Sequence, residues 1–235
     1  MKKYESVTKS RLIDNLPAIL RIDGRAFHSL CTSSRGFERP FDDEVISMMN
    51  EVAIRMCNEV QGVRLAYIQS DEISFLLYTP WPSQSWFGGN IQKIVSIAAA
   101  YASATATWYC TRNHARMWKL PIQFDARTFQ IPNADETLNY FYWRQKDWER
   151  NSVSMLAQSL YSHRELLGKN KAALHDMIHD KGQNWADLPT YLKNGRCIKK
   201  FKELDGSQSW LLDNEIPIFT QERDYILEVL ENANN

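Results

Sequence analysis

Two aspartates, Asp23 and Asp71, stand where apolar runs stop and turns begin. PAILRI at 17–22 ends at Asp23-Gly24, and RLAYIQ at 64–69 ends at Ser70-Asp71-Glu72. Carboxylates brought together at the end of a sheet repel one another unless a cation lies between them. Two magnesium ions bridging to substrate phosphates are the usual arrangement in phosphoryl transfer. One ion lowers the pKa of an attacking hydroxyl and the other steadies a leaving pyrophosphate. The backbone carbonyl of Gly24 offers a further hard oxygen ligand. A lone Asp-Gly is usually a turn bonded to its own backbone, so the weight falls on the pair.

Between Asp23 and the next apolar pattern runs DGRAFHSLCTSSRGFERPFD, a loop that opens with glycine and carries Arg25, Arg35 and Arg39. Exposed amides act as fixed dipoles and guanidinium forks as bidentate donors, which is what a triphosphate requires. The loop is therefore expected to hold a nucleotide. Neither GxxxxGK[ST] nor GxGxxG occurs, which argues against Walker-type ATPases and dinucleotide-dependent enzymes.

The elements that must position these residues follow from hydrophobic spacing. Phe41, Val45, Met48, Met49, Val52, Ala53 and Met56 recur at helical spacing after Pro40, with Asp42, Asp43 and Glu44 at the positive end of the dipole. RLAYIQ and ISFLLY (73–78) flank the acidic turn as a β-hairpin. A second helix is predicted over 90–109, with Ile94, Ile97, Ala98, Tyr101, Ala104, Thr105 and Trp108 on its packed face. A fourth strand is predicted at 121–127, a long helix over 136–167, and a surface helix between loops within 168–195. The order βαββαβ is that of a ferredoxin-like α+β unit, the architecture shared by polymerase palms and nucleotide cyclases. The expected organisation is a catalytic palm over 1–135 and a helical C-terminal extension over 136–235 that packs on it without forming an independent domain.

Lys and Arg balance Asp and Glu at 28 each among 235 residues, so affinity for a polyanion must come from how charge is distributed. Basic clusters occur at 112–119 and 193–202, although such runs are commonly solvated faces. The four cysteines (Cys31, Cys57, Cys110, Cys197) form no CxxC pair and are expected to be reduced thiols. No run approaches a membrane span and the N-terminus lacks a secretory apolar core, so a soluble cytoplasmic protein without membrane contact is expected.

In RIDGRAFH (21–28), FERPFD (37–42), AYIQSDEISF (66–75), FDAR (124–127) and WRQKD (143–147) the chain resembles the tRNA-His guanylyltransferase family, and more closely its bacterial and archaeal like-protein branch. The resemblance spans 17–152. It implies a palm in which Asp23, Gly24 and Asp71 bind two magnesium ions, with Glu72 and Ser70 as support. Arg25, Ala26, Phe27 and His28 would cradle a triphosphate, and Arg39 and Lys93 would offset phosphate charge. Arg39 replaces the lysine usual in the family's FxKP segment, exchanging a point charge for a fork. Gly88, Gly89 and Asn90 stand where the eukaryotic enzymes carry basic residues, and Glu149 to Ser152 replace a His-x-Asn-Asn segment. These departures favour template-directed repair of truncated tRNA 5′ ends over untemplated addition of one guanylate.

The implied reaction activates a 5′-monophosphorylated RNA, usually with ATP, after which the 3′ hydroxyl of GTP or another NTP attacks the activated phosphate. Arg150, Asn151, Lys199 and Lys200 are the candidate contacts to tRNA or another structured RNA. The resemblance also implies a homotetramer, toward which Trp81, Trp86 and the aromatic cluster at 140–143 could contribute, buried core being the alternative. Two rivals remain. A nucleotide cyclase or cyclic-dinucleotide synthase uses the same palm but usually a GG[DE][EY]F-like hairpin, where this chain reads QSDEISF. A non-catalytic RNA-binding module would be a degenerate palm, yet both carboxylates are present.

Overall fold

The computed structural model describes residues 1–79, 85–113, 115–116, 121–202 and 206–231. Trp81 and residues 114 and 117–119 of the basic cluster at 112–119 lie outside them. The strands are β1 (Ala18–Gly24), β2 (Val63–Gln69), β3 (Glu72–Leu77), β4 (Phe124–Gln130), β5 (Arg196–Lys202) and β6 (Gln208–Asp213). They pair antiparallel in the order β4-β1-β3-β2-β5-β6. The first four strands reproduce the expected ferredoxin-like unit.

Short helices α1 (Lys2–Ser6) and α2 (Phe27–Leu30) precede α3 (Asp43–Glu59) and α4 (Ile91–Arg112). After β4 come α5 (Ala134–Leu160), α6 (His163–Leu166), α7 (Lys171–Asp180), α8 (Thr190–Lys193) and, last, α9 (Asp224–Glu231). Asp42 caps α3 by accepting from the amides of Glu44 and Val45, and Asn90 and Asn133 cap α4 and α5 in the same way. The long helix expected over 136–167 ends at Leu160, and a capping box at Ser162 starts α6.

Alternation along the strands gives the sheet two apolar faces. Leu20, Ile22, Ala66, Ile68, Ile73 and Phe75 meet α3 and α4 on one side. Ile19, Leu65, Tyr67 and Leu76 meet Leu138 and Phe141 of α5 together with Ile216, Phe219 and Ile226 on the other. The extension thus covers the second face of the palm. It also contains β5 and β6, which lengthen the sheet and which the sequence reading took for polar, basic or helical chain. A separate small core joins Val153, Leu156 and Ala157 of α5 to Leu174 and Ile178 of α7.

The packed face of α4 is rotated from the predicted one. Ile94, Ala98, Ala102, Thr105, Ala106 and Cys110 are buried, whereas Ile97 and Trp108 are exposed. Small residues let the helix approach the sheet closely, and the larger side chains turn outward. Trp108 is covered by the guanidinium groups of Arg55 and Arg112, at 4.1 and 5.1 Å from its ring centroid.

Candidate active site

The end of β1 and the turn of the β2–β3 hairpin meet at one edge of the sheet. Asp23 lies opposite Glu72 on β3 and opposite Asp125 on β4, so three acids line up across neighbouring strands. Asp71 occupies the tight hairpin turn after Ser70, whose φ of 47° is left-handed. The Asp71 carbonyl accepts from the Gly24 amide at 3.0 Å, which ties the two turns together. Gly24 is required by close approach: a Cβ there would lie 2.4 Å from the Phe27 ring and 3.0 Å from the Asp71 Cβ.

Burial pushes the Asp71 carboxyl up to about 6, and the Asp23 charge adds to the rise against hydrogen bonds from its own backbone and Ser70. Asp23 is also raised, first by burial and then by Asp125, with Arg127, Arg21 and Arg144 pulling the other way. Two partly desolvated oxygen donors that penalise each other's charge suit a hard divalent cation.

Glu72 differs from both. Its two oxygens accept from Arg144 Nε and Nη2, each at 2.8 Å, and Arg21 Nε lies 3.8 Å away. Arg144 reaches on to Asp147 at 3.2 Å, and Asp147 to Arg150 at 2.8 Å. Glu72 therefore braces α5 against the hairpin. Arg144, within the WRQKD segment, had been given no role from sequence although its spacing from Phe141 and Trp148 marks a buried helix face.

The loop after Gly24 leads into a cavity of about 290 Å³ bounded by Phe27, His28, Arg39, Phe41, Ser70, Asp71, Trp148, Met155, Leu192 and Arg196, among others. Ala26 adopts a left-handed φ of 58°, which turns the chain into α2. The amides of Phe27 and His28, in the first turn of that helix, have no partner within it. Arg25 is tied to Gln123 by its backbone amide and by Nη1, both at 2.8 Å. Arg35 donates back to Leu30 at 3.2 Å. Arg39 is exposed, lines the cavity and has no hydrogen-bond or ion-pair partner among the described residues.

Other candidates are not brought to this place. Lys93 lies in the first turn of α4, beside Ile94, which shares a different cavity with Ala18, Leu77 and Gln130. Ala18 begins the strand that Asp23 ends, about 16 Å away at roughly 3.3 Å per residue. The antiparallel run of α4 carries Lys93 to the far end of the sheet. Lys199 and Lys200 are neighbours on β5 and so face opposite sides: Lys199 sits 3.8 Å from the Tyr225 ring centroid and Lys200 5.2 Å from that of Trp210. They cannot grip one phosphate run from one face. Arg150 and Asn151 are exposed on α5, Arg150 paired with Asp147. Elsewhere in the basic cluster at 193–202, Lys193 bonds to the Ala186 carbonyl and Arg196 lies buried against α3.

Paired acids at the open edge of a ferredoxin-like sheet, next to an arginine-bearing loop and a cavity, define a nucleotidyltransferase of the polymerase-palm class. The profile of the tRNAHis guanylyltransferase family, Thg1, matches residues 1–132, and the chain belongs to that family. It is 27% identical over 214 residues to a probable tRNA(His) guanylyltransferase of Dictyostelium discoideum, covering 84% of this chain and 82% of that one. It is 28% identical over 208 residues to the Schizosaccharomyces pombe enzyme, covering 83% and 77%. A bacterial Thg1-like protein solved in complex with ATP superposes with a TM-score of 0.88 and 36% identity over 98% of this chain and 96% of that chain. A bacterial Thg1-like protein in complex with GTP gives 0.81 and 33% over the same shares. Among the described residues no helix is long and apolar enough to cross a membrane.

Proposed function

We propose that the chain adds nucleotides to the 5′ end of tRNA in the 3′-to-5′ direction, under direction of the opposite strand, to repair truncated ends. The observation that carries this reading is the junction of Asp23 and Asp71 through the Gly24–Asp71 backbone bond beside the nucleotide-sized cavity. The names of the relatives, which act on tRNA(His) or were solved with ATP or GTP, support tRNA and nucleoside triphosphates as substrates.

The donor set fits magnesium: Asp23, Asp71 and the Gly24 carbonyl would hold two ions. Bound there, magnesium lowers the pKa of the attacking hydroxyl and neutralises the leaving phosphate oxygens. The protein's own work is positioning. Phe27 and His28 amides and Arg39 orient the triphosphate, Ser70 steadies Asp71, and Glu72 holds the hairpin through Arg144. In the first step a 5′ monophosphate displaces pyrophosphate from ATP; in the second the NTP 3′ hydroxyl displaces AMP. A 5′ triphosphate end enters at the second step and loses pyrophosphate. Arg150 and Asn151 offer contacts to RNA from α5, whereas Lys199 and Lys200 divide between two faces. Lys93 takes no part in the nucleotide site of its own chain. The cytoplasm, where tRNA is matured, suits this activity. The family likeness supports a homotetramer as the assembly, and the exposed Trp143 and Phe129 flanking Tyr140 offer an apolar face for it.

The test incubates the protein with magnesium, four labelled NTPs and a tRNA lacking its first 5′ nucleotide, beside full-length tRNAHis. Extension of the truncated end that follows the opposite strand and disappears in Asp71→Asn is the expected outcome. NTP converted to pyrophosphate with neither RNA extended would move the chain to the cyclases.

A further inference from the structure

The cavity next to Asp71 contains a charge that the proposed chemistry does not use. Arg196 opens β5 opposite Ile68, two residues before Ser70, and its side chain runs toward α3 with the residue only 2% exposed. Its Nε donates to the Asn50 side chain and its Nη2 to the Ile46 carbonyl at 3.3 Å. No carboxylate pairs with it among the described residues. Burial lowers it to about 10, which leaves it charged at neutral pH. A guanidinium has five N–H donors; these bonds engage Nε and Nη2, no bond of Nη1 occurs among the described residues, and the residue lines the cavity.

A second side chain with a donor stands on the same wall. Trp148 lines the cavity, and its indole N–H is buried without an acceptor. A buried donor left without an acceptor is unfavourable, so this wall fits a ligand that brings one. The wall also carries Phe41, Met155 and Leu192, which suit the faces of a flat ring, beside the polar Glu38, Asp42 and Gln158.

We propose that Arg196 reads the base of the nucleotide and sets a preference for guanine over adenine. This rests on the nucleotide site proposed above. Guanine presents O6 and N7 as adjacent acceptors to an arginine fork, whereas adenine places an amino donor in the O6 position, facing donors. Both triphosphates have been captured on bacterial relatives of the same fold, so Arg196 sets a ratio of affinities and not an absolute exclusion. The ratio amounts to about tenfold for one bidentate contact.

Equilibrium binding of labelled GTP and of labelled ATP to the full chain with magnesium tests this, on wild type, Arg196→Met and Arg196→Lys, each checked for folding by its thermal midpoint. The expected result is GTP about tenfold tighter than ATP in wild type. In Arg196→Met the two affinities converge, and Arg196→Lys, which keeps the charge but loses the fork, falls between. A purely structural role for the Arg196–Asn50 bond would lower stability and leave the ratio intact. If Arg196→Met does not fold, Arg196→Lys alone carries the comparison. Equal affinities in wild type, or an unchanged ratio in the folded variants, overturns the role of Arg196 while leaving the nucleotide site standing. Absence of binding for both triphosphates to folded wild type removes the nucleotide site itself, and Arg196 with it.

Discussion

Asp71 and Glu72 are adjacent buried acids with different partners, and each partner set predicts its own response to substitution. The Asp71 carboxyl titrates near 6 in the folded chain against an ordinary 3.8. Because the folded value is raised, ionisation costs stability: the cost is nil below the unfolded value, grows through the interval and is complete above about 6. Asp71→Asn should therefore abolish nucleotide addition yet unfold at higher urea than wild type in metal-free buffer above pH 7, by roughly 1–3 kcal/mol. The two proteins should converge near pH 4, and a variant less stable than wild type at both pH values would refute this account. Glu72 instead shares two short bonds with Arg144 inside the fold. Arg144→Ala leaves the buried carboxylate with only the more distant Arg21, at 3.8 Å, and should cost up to about 3–5 kcal/mol in urea unfolding, much of it recovered by adding Glu72→Gln. The two aspartates proposed to hold the metal were legible from sequence because each follows an apolar run. The ion pair was not, since Arg144 and Glu72 are 72 positions apart and nothing local joins them.

At the scale of elements, the four palm strands and helices α3 and α4 were readable because each repeats its own period, whereas the short α1 and α2 span too few residues to show one. The β5–β6 ribbon was not, and its composition explains why. RCIKKFK alternates, but Lys199 and Lys200 occupy positions where a half-buried strand normally shows one apolar residue in two. The register is recoverable only with β2 beside it, where Leu65 to Ile68 pair with Lys199 to Arg196. Lysine stems covering Tyr225 and Trp210 supply the apolar contact that the pattern conceals. Entry into β5 depends on Gly195, with φ of +81° and a position where Cβ would stand 2.6 Å from Tyr67 Oη. Tyr67 in turn donates to the Asn194 carbonyl at 2.8 Å. Gly195→Ala should break this turn, displacing the start of β5 and with it Arg196, at a cost of about 2–4 kcal/mol from strain and lost packing. Thermal unfolding reads the loss, and faster exchange of the β5 amides localises it. Protection in β5 equal to that of wild type would show the turn to be tolerant.

At the scale of the whole molecule, the palm sheet buries its second face largely against chain beyond residue 135. Ile19, Leu65, Tyr67 and Leu76 are wholly buried, and their partners are Leu138, Phe141, Ile216, Phe219 and Ile226, all beyond residue 135. Gln145 fastens the segment that supplies Phe219, donating to the Pro217 carbonyl at 2.9 Å and accepting from the Phe219 amide at 3.0 Å. A fragment of residues 1–135 would present that sheet face to water and retain α3 and α4 on the other. Exposing side chains of this size forfeits roughly 1.5–3 kcal/mol each, which is comparable in sum with the 5–15 kcal/mol that separates a folded domain from its unfolded chain. The fragment should therefore show no cooperative thermal transition, whereas the full chain should unfold in one step with coincident fluorescence and circular dichroism curves. A cooperative transition in the fragment would mean that α3 and α4 suffice to hold the sheet. In that case the aspartate pair could be preorganised without the brace from Arg144, and Arg144→Ala should lower stability of the full chain without lowering its rate of nucleotide addition.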